Sequence, residues 1–283
     1  MATSRLYCGR FAPTPSGPLH FGSLVAAVAS YIDAKAHQGR WLVRIEDVDK
    51  PRAVPGASNV ILHQLEQHGL GWDGEVWYQS QRDHVYRDVL AQLQHQQATY
   101  FCTCTRKQIK ARGAHYTGYC RHRQRSAEGS AVRFCNDHSR THFNDRIQGQ
   151  VELAPEFAHE DFLLLRRDQL YTYQLAVVVD DIEQGVTDIV RGADLLTASS
   201  WQVTLWQRLS QQQPRLAHVN LALDENGRKL SKQNHAPALQ AQQVPQQLRA
   251  AFEFLGLTIT DLTDNPHSLL EQATVAWRTK YLS

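Results

Sequence analysis

The chain has 283 residues, enough to bury a large core in one sizeable α/β domain with an insertion or in two modest domains. Its 30 Lys and Arg residues nearly balance 28 Asp and Glu residues, so the overall charge does not indicate a nucleic-acid binder. Five cysteines, no apolar N-terminal signal and no apolar run of ~20 residues argue against a disulfide framework, secretion and a membrane span. We therefore expect a cytoplasmic protein in a reducing compartment.

Predicted strands and helices alternate along much of the chain. Strands are predicted at residues 6–11, 41–45 and 175–179, the last because a continuous apolar run is typical of a parallel strand buried on both faces. Amphipathic helices are predicted at residues 23–35, 58–68, 81–96, 197–211, 244–255 and 266–279. This alternation predicts a doubly wound parallel α/β sheet, in which ligands bind at the carboxyl ends of the strands.

Two separated segments predict one ATP site. The first joins a strand-like run to an apolar helix through a Pro- and Gly-rich turn that contains His20. A helix N-terminus beside small residues suits polyphosphate, because unpaired backbone N–H groups and the helix dipole face the anion. About two hundred residues later, Lys229 and Lys232 lie three residues apart on a glycine-containing loop, where mobile cations suit a leaving pyrophosphate.

These segments, His20-Phe21-Gly22-Ser23 and Lys229-Leu230-Ser231-Lys232-Gln233, resemble the HIGH and KMSKS signatures of class I aminoacyl-tRNA synthetases. The stretches at 10–17, 44–47 and 177–181 are similar to the glutamyl branch, and in particular to the shortened glutamyl-Q tRNA(Asp) synthetases, which glutamylate queuosine. The resemblance extends over residues 10–239, with serine in place of the final histidine of HIGH. It implies a Rossmann-like core, ATP with Mg²⁺, L-glutamate and queuosine-containing tRNA(Asp) as substrates, and a monomer.

The resemblance also assigns the catalytic and ATP-binding residues. His20 would donate a hydrogen bond to a phosphate oxygen, and Lys232 would neutralise the departing pyrophosphate. No general base is needed, because the attacking carboxylate is already ionised and positioning and charge stabilisation carry the reaction. The implied ATP-binding residues are His20, Gly22, Ser23, Lys229 and Lys232.

Glutamate recognition requires cations for two carboxylates and an acceptor for the ammonium group. By resemblance, Glu46 receives the ammonium, Tyr173 supplies a hydroxyl, and Arg191 reads the side-chain carboxylate. A buried guanidinium that faces the neutral amide of glutamine would lose its ionic partner. The implied glutamate-binding residues are Arg10, Phe11, Ala12, Pro13, Thr14, Ser16, Glu46, Tyr173 and Arg191; Arg44, Asp47, Asp180 and Asp181 are interpreted as scaffold salt bridges.

Cys102 and Cys104, followed after fifteen residues by Cys120, resemble a structural zinc site. Residue chemistry alone nominates His115 or His122 as the fourth ligand, whereas the family pattern implies Tyr116. The alternative is a set of free cytosolic thiols. The surrounding segment 102–127 holds seven Lys or Arg residues and no Asp or Glu, and with the tRNA resemblance this predicts contact with the RNA acceptor.

The expected organisation has four parts. Residues 1–100 and 152–239 form the two halves of the nucleotide-binding core, residues 101–151 form the zinc-binding insertion, and residues 240–283 form a helical C-terminal segment. Too few residues follow the lysine motif for the long anticodon-binding region of full-length glutamyl synthetases, so we expect the anticodon loop itself to enter the catalytic site.

The expected function is ATP-dependent formation of glutamyl-adenylate and transfer of the glutamyl group to queuosine in tRNA(Asp). The alternatives are a truncated synthetase that charges a tRNA 3′ end and a catalytically dead tRNA-binding paralogue.

Overall fold

The computed structural model describes residues 6–223, 227–230, 236–260 and 263–282. The strands are β1 (Cys8–Phe11), β2 (Arg40–Ile45), β3 (Trp77–Tyr78), β4 (Thr99–Cys102), β5 (Ala131–Phe134), β6 (His142–Asp145), β7 (Gly149–Glu152), β8 (Leu163–Leu165), β9 (Asp188–Gly192) and β10 (Arg215–Val219). The helices are α1 (Phe21–Ala36), α2 (Ala57–Gln67), α3 (Asp83–His95), α4 (Arg106–Lys110), α5 (Pro155–Ala158), α6 (Tyr173–Glu183), α7 (Ser199–Leu209), α8 (Val244–Phe254) and α9 (Pro266–Tyr281).

Two groups of mainly parallel strands lie side by side. The first has the order β1-β2-β3, and the second has the order β7-β6-β10-β9, in which only β7 runs antiparallel to its neighbour. The backbone N–H of Thr187, just before β9, donates to the carbonyl of Cys8 in β1 at 2.8 Å. This arrangement brings the carboxyl ends of β1, β2 and β9 together.

A separate antiparallel sheet has the order β4-β5-β8. Its third strand lies beyond residue 151, where the sequence predicts the end of the insertion. Within the predicted insertion, β6 pairs instead with β10 of the main parallel group. The four-part division of the chain stays a prediction; the antiparallel sheet extends across both boundaries of the predicted insertion, since β4 begins at Thr99 and β8 at Leu163.

The predicted strand at residues 175–179 is wrong. These residues belong to α6, which packs against α3, α7 and β8, and all five side chains are buried. Burial on every side gives a helix the same continuous apolar pattern as an interior parallel strand, and packing outweighs the strand preference of the three valines. Asp180 consequently lies inside a helix and not at the end of a strand.

The other predicted strands and helices are confirmed to within a few residues. α8 and α9 pack against α1, and their side chains Leu248, Phe252, Leu269 and Trp277 complete the apolar core around β1 and β2. A second core forms between α3, α6 and α7. Among the residues that the structure describes, no helix has the length and apolarity needed to cross a membrane.

Candidate functional site

The carboxyl ends of β1, β2 and β9 surround a cavity of about 560 Å³. Lys232 lies outside the described residues; every other predicted ATP- or glutamate-binding residue lines this cavity. These are Arg10, Phe11, Ala12, Pro13, Thr14, Ser16, His20, Gly22, Ser23, Glu46, Tyr173, Arg191 and Lys229. Two segments about two hundred residues apart in sequence therefore meet at one site, while the substrate assigned to each residue stays a prediction.

The N-terminus of α1 forms one end of the cavity. His20 is the N-cap residue, and its Nδ1 accepts a hydrogen bond of 3.4 Å from the backbone N–H of Ser23. Because Nδ1 accepts, the neutral ring carries its proton on Nε2, which is the donor that a phosphate oxygen requires. The chain after the lysine motif returns to this point, where the N–H of Leu239 donates to the Leu19 carbonyl at 2.9 Å.

Gly22 keeps the space at this helix end open. A Cβ atom on Gly22 would lie 3.2 Å from Cε1 of His20 and 3.5 Å from the carbonyl of Leu230. On the same side of the cavity, Lys229 forms an ion pair with Asp194, which follows β9. The residues present therefore suit a polyphosphate, with a helix N-terminus, a glycine and a nearby lysine.

Arg191, in β9, is buried and contacts only neutral acceptors within the described chain. Its Nε donates to His218 Nε2 at 3.0 Å, and its Nη1 donates to the Tyr173 hydroxyl at 3.3 Å. Its Nη2 donates to Ser199 Oγ at 2.8 Å and to Gln202 Oε1 at 2.6 Å. Burial lowers the pKa of Arg191, because water no longer stabilises the charge. An anionic ligand in the cavity would supply the countercharge.

Arg10, on the neighbouring strand β1, has a protein carboxylate as its partner. Its Nε and Nη2 bind the two oxygens of Asp181 at 3.0 and 3.3 Å. Arg44 binds the same Asp181 at 2.8 Å and lies 3.5 Å from Asp180. Burial acts to raise the pKa of Asp181, but the two guanidinium groups outweigh it and hold the pKa below its ordinary value.

Asp180 forms the expected scaffold salt bridge, whereas Asp47 is held by hydrogen bonds to Ser80 instead. Asp180 accepts hydrogen bonds from Arg82 at 2.7 Å and from the Tyr86 hydroxyl at 2.9 Å. Asp47 accepts from the backbone N–H and hydroxyl of Ser80 at 2.8 and 2.6 Å. These carboxylates join α3, α6 and the segment after β2 and are not part of the cavity wall.

Glu46 follows β2 and lines the same cavity as Arg191. Burial raises its pKa to about 7, although the positive charges of Arg44 and Arg10 act in the opposite direction. Its Oε1 accepts a hydrogen bond of 3.4 Å from Arg44. A buried carboxylate with a raised pKa gains a countercharge when an ammonium group binds beside it.

The three predicted zinc-binding cysteines come together outside the cavity. Their sulfur atoms all lie within 4.8 Å of one another, and Cys104 Sγ is 3.6 Å from Cys120 Sγ. Two sulfurs on one tetrahedral Zn²⁺, each ~2.3 Å from the metal, would be about 3.8 Å apart, so the donor set fits the ion. The Tyr116 hydroxyl lies 3.5 Å from Cys102 Sγ, whereas His115 pairs with Glu160 at 3.4 Å. The geometry favours Tyr116 over His115 as the fourth ligand.

The basic patch, the Lys- and Arg-rich segment 102–127, contains this sulfur cluster. Arg112 and Arg123 stack on the ring of Tyr119, with their guanidinium carbons 3.6 and 4.0 Å from the ring centroid. Arg112 also donates to Cys104 Sγ at 3.4 Å. Arg112 therefore links the stacked arginine–tyrosine group to the sulfur cluster.

Comparison with known proteins gives the family. A family profile described as "tRNA synthetases class I (E and Q), catalytic domain" matches residues 8–263. A glutamyl-Q tRNA(Asp) synthetase from Idiomarina loihiensis is 58% identical over 278 residues, which cover 98% of each chain. One from Escherichia coli K12 is 52% identical over 254 residues, or 90% of this chain and 82% of that one.

The chain belongs to the glutamyl-Q tRNA(Asp) synthetase family. This membership makes it a ligase-type enzyme with the catalytic-core fold of the class I synthetases. A glutamate-tRNA synthetase structure from Elizabethkingia anophelis aligns with a TM-score of 0.70 at 29% identity. The alignment covers 81% of this chain and 53% of that one, so this chain spans about half the length of that synthetase. A glutamate tRNA ligase from Elizabethkingia meningosepticum shares the fold, with a TM-score of 0.77 at 24% identity, over 95% of this chain and 64% of that one.

The sequence motifs that pointed to the glutamyl-Q tRNA(Asp) synthetase family do not include the residues that hold Arg191 in place. His218 lies in β10, Ser199 and Gln202 lie at the start of α7, and Asp145, which contacts His218, ends β6. No motif or spacing in the sequence joins Asp145 and His218 to Arg191, because these three residues meet through strand pairing between β6, β10 and β9.

Proposed function

We propose that this chain activates L-glutamate with ATP to form glutamyl-adenylate and transfers the glutamyl group to queuosine in the anticodon of tRNA(Asp). The observation that carries the amino-acid assignment is the buried Arg191, whose described partners are all neutral. Similarity to glutamyl-Q tRNA(Asp) synthetases supports the queuosine acceptor.

The side-chain carboxylate of glutamate would bind against Arg191 Nη1 and the Tyr173 hydroxyl, two neighbouring groups 3.3 Å apart that can both donate to it. The carboxylate restores charge balance to the guanidinium, whereas the amide of glutamine does not. The substrate ammonium would face Glu46, a buried carboxylate on the cavity wall that pairs with Arg44 through a single hydrogen bond of 3.4 Å. The α-carboxylate is then left near the N-terminus of α1, where the nucleotide is proposed to bind.

Activation joins an α-carboxylate oxygen to the α-phosphorus of ATP and breaks the bond between the α-phosphorus and pyrophosphate. The chain contributes positioning and charge: His20 would donate to a phosphate oxygen, the start of α1 would face the anion, and Lys229, with the Lys232 that the family motif implies, would neutralise the leaving pyrophosphate. Mg²⁺ accompanies the nucleotide and neutralises part of its charge. Gly22 leaves room for the phosphates beside His20.

The RNA would contact the basic patch held by the cysteine cluster. Arg112, Tyr119 and Arg123 present two guanidinium planes and an aromatic ring on the surface, a combination that suits phosphates and unstacked bases. We propose Zn²⁺, bound by Cys102, Cys104, Cys120 and Tyr116, as the structural ion of this patch.

Transfer of radiolabelled glutamate tests the complete proposal. The chain is incubated with ATP, Mg²⁺ and bulk tRNA from cells that make queuosine and from cells that cannot. We expect label only on the queuosine-containing pool. Equal label on both pools would indicate charging of a tRNA 3′ end, and no label on either pool would favour a catalytically dead RNA-binding protein. Glutamate-dependent exchange of pyrophosphate into ATP tests the activation step separately.

A further inference from the structure

Behind the cavity, three buried side chains form a linear hydrogen-bonded series. Asp145 Oδ2 lies 2.6 Å from His218 Nδ1, and His218 Nε2 lies 3.0 Å from Arg191 Nε. The side chains of Asp145 and His218 have no measurable exposure to solvent. The three residues come from the neighbouring strands β6, β10 and β9, which fix the order of the series.

The hydrogen bonds of Asp145 determine which nitrogen of His218 carries the proton. Asp145 Oδ1 accepts from the backbone N–H groups of Ile147, Gln148 and His218 at 3.0, 2.9 and 3.1 Å. Its other oxygen is therefore left for the imidazole. A carboxylate only accepts, so His218 Nδ1 carries the hydrogen and Nε2 is left with the lone pair that accepts from Arg191.

The other groups that face His218 are consistent with a neutral ring. Ser199 Oγ lies 3.2 Å from Nε2, but its hydroxyl hydrogen is donated to the Leu195 carbonyl at 2.9 Å. The Phe143 ring lies 6.5 Å away and carries no charge. Burial lowers the pKa of His218, and the positive charges of Arg191 and Arg10 act in the same direction against the opposing effect of Asp145.

The imidazole of His218 lies between the carboxylate of Asp145 and the guanidinium of Arg191, so these two charged groups do not bind each other directly. On β1, by contrast, Asp181 binds Arg10 directly through both of its oxygens. A carboxylate in the position of His218 would pair with Arg191 in the same way, and Arg191 would no longer lack a countercharge. The neutral ring holds the guanidinium in place without neutralising it.

We propose that His218, oriented by Asp145, is a positioning residue that makes Arg191 selective for glutamate over glutamine. The inference rests on the proposed function, in which Arg191 binds the side-chain carboxylate. His218 and Asp145 themselves do not touch the substrate; they act through Arg191.

Asp145→Asn is the sharpest variant. The remaining amide oxygen still accepts from the three backbone N–H groups, but the new NH₂ group donates to Nδ1 of His218. The His218 ring then carries its hydrogen on Nε2. Two N–H donors, one from His218 and one from Arg191, face each other, and no hydrogen bond forms between them. We expect the KM for glutamate in pyrophosphate exchange to rise about tenfold or more, because a hydrogen bond to a charged group is lost. The KM for ATP should stay unchanged.

Two substitutions at His218 test whether Arg191 needs the hydrogen-bond acceptor at this position or the imidazole ring itself. His218→Leu removes the acceptor and should raise the KM for glutamate as Asp145→Asn does, with a reduced preference for glutamate over glutamine. His218→Gln restores a neutral acceptor and should recover most of the wild-type KM and preference.

His68 provides the matched control: it is equally buried, bonds to Gln64 and Gln247, and lies outside the cavity wall. His68→Leu should leave both KM values unchanged.

The KM does not depend on how much of a variant is folded, so partial unfolding does not obscure the result. Wild-type KM and glutamate preference in both Asp145→Asn and His218→Leu would overturn the inference. A His218→Gln variant as impaired as His218→Leu would also overturn it, because a neutral acceptor would then be insufficient. A wild-type chain without glutamate-dependent exchange would instead refute the proposed function, and the inference with it.

Discussion

The indole N–H of Trp277, in α9, donates a hydrogen bond of 2.8 Å to the carboxylate of Asp33, in α1. Asp33 is completely buried and also binds Arg146 through two hydrogen bonds of 2.7 and 2.8 Å. The composition of the C-terminal helices leaves open whether they support the core or contact RNA. Their buried side chains and this hydrogen bond show that α9 supports the helix that begins at the candidate ATP site.

Trp277→Phe should lower the free energy of unfolding by about 2 kcal/mol, because a hydrogen bond to a buried carboxylate is lost. Urea unfolding followed by circular dichroism measures the change. Val275→Ala is the control on the same helix, since Val275 is 62% exposed, and it should change the stability by less than about 0.5 kcal/mol. Equal stability of Trp277→Phe and the wild type would show that α9 does not brace α1 through Asp33.

The sequence predicts most of the helices and the site that they surround, but it does not predict α6 correctly. The glycine-rich turn before α1 and the lysine motif are local patterns, so their meeting at one cavity is accessible from sequence. The apolar residues from Leu175 to Val179 carry no period, because α6 is buried on every side. The support of Arg191 by His218 and Asp145 depends on strand order, which no local pattern encodes.

Arg191→Ala should reduce kcat/KM for glutamate by at least about a hundredfold, because the proposed countercharge of the substrate carboxylate is removed. The melting temperature should fall only slightly, since no protein carboxylate is left unpaired. Glutamate-dependent pyrophosphate exchange and thermal unfolding test the two expectations.

Arg208→Ala is the control for the substitution itself, since Arg208 is exposed on α7 and lies outside the cavity wall. It should leave kcat/KM unchanged. Exchange at the wild-type rate in Arg191→Ala would remove Arg191 from the glutamate site.

Glutamate binding should strengthen as the pH rises through 7. Burial raises the pKa of Glu46 to about 7, so at lower pH the carboxyl group is neutral and does not pair with an ammonium group. Well below pH 7, the affinity should fall about tenfold for each pH unit. Titration calorimetry between pH 6 and 8 measures this slope and the proton released on binding.

The raised pKa of Glu46 also makes folding stability depend on pH, but stability falls with rising pH whereas glutamate affinity increases. Because the pKa of Glu46 is raised in the folded state, its contribution to stability is present below the ordinary value of 4.5 and is lost as the pH rises through about 7.

Glu46→Gln should bind glutamate weakly at every pH and should lack the wild-type dependence of glutamate affinity on pH. An identical dependence in the two proteins would assign the titration to another group.

Replacing Cys102 and Cys104 with serine should remove bound zinc and lower the melting temperature, because the proposed ion would lose two of its sulfur ligands. Metal analysis of the purified chain, with about one Zn²⁺ expected for the wild type, measures the first effect. Cys135→Ser is the control, since Cys135 lies outside the sulfur cluster. Equal metal content in the double variant and the wild type would refute the zinc site.

Gly22→Ala should raise the KM for ATP about tenfold, because the added methyl group lies 3.2 Å from His20 Cε1 and crowds the ring where the phosphates are proposed to bind. The KM for glutamate should change much less, since Arg191, Tyr173 and Glu46 do not contact this position. Gly71→Ala is the matched control: a Cβ there meets no atom within 4 Å. Pyrophosphate exchange at varied ATP concentrations compares the two variants. An unchanged KM for ATP in Gly22→Ala would mean that the phosphates do not lie against the N-terminus of α1.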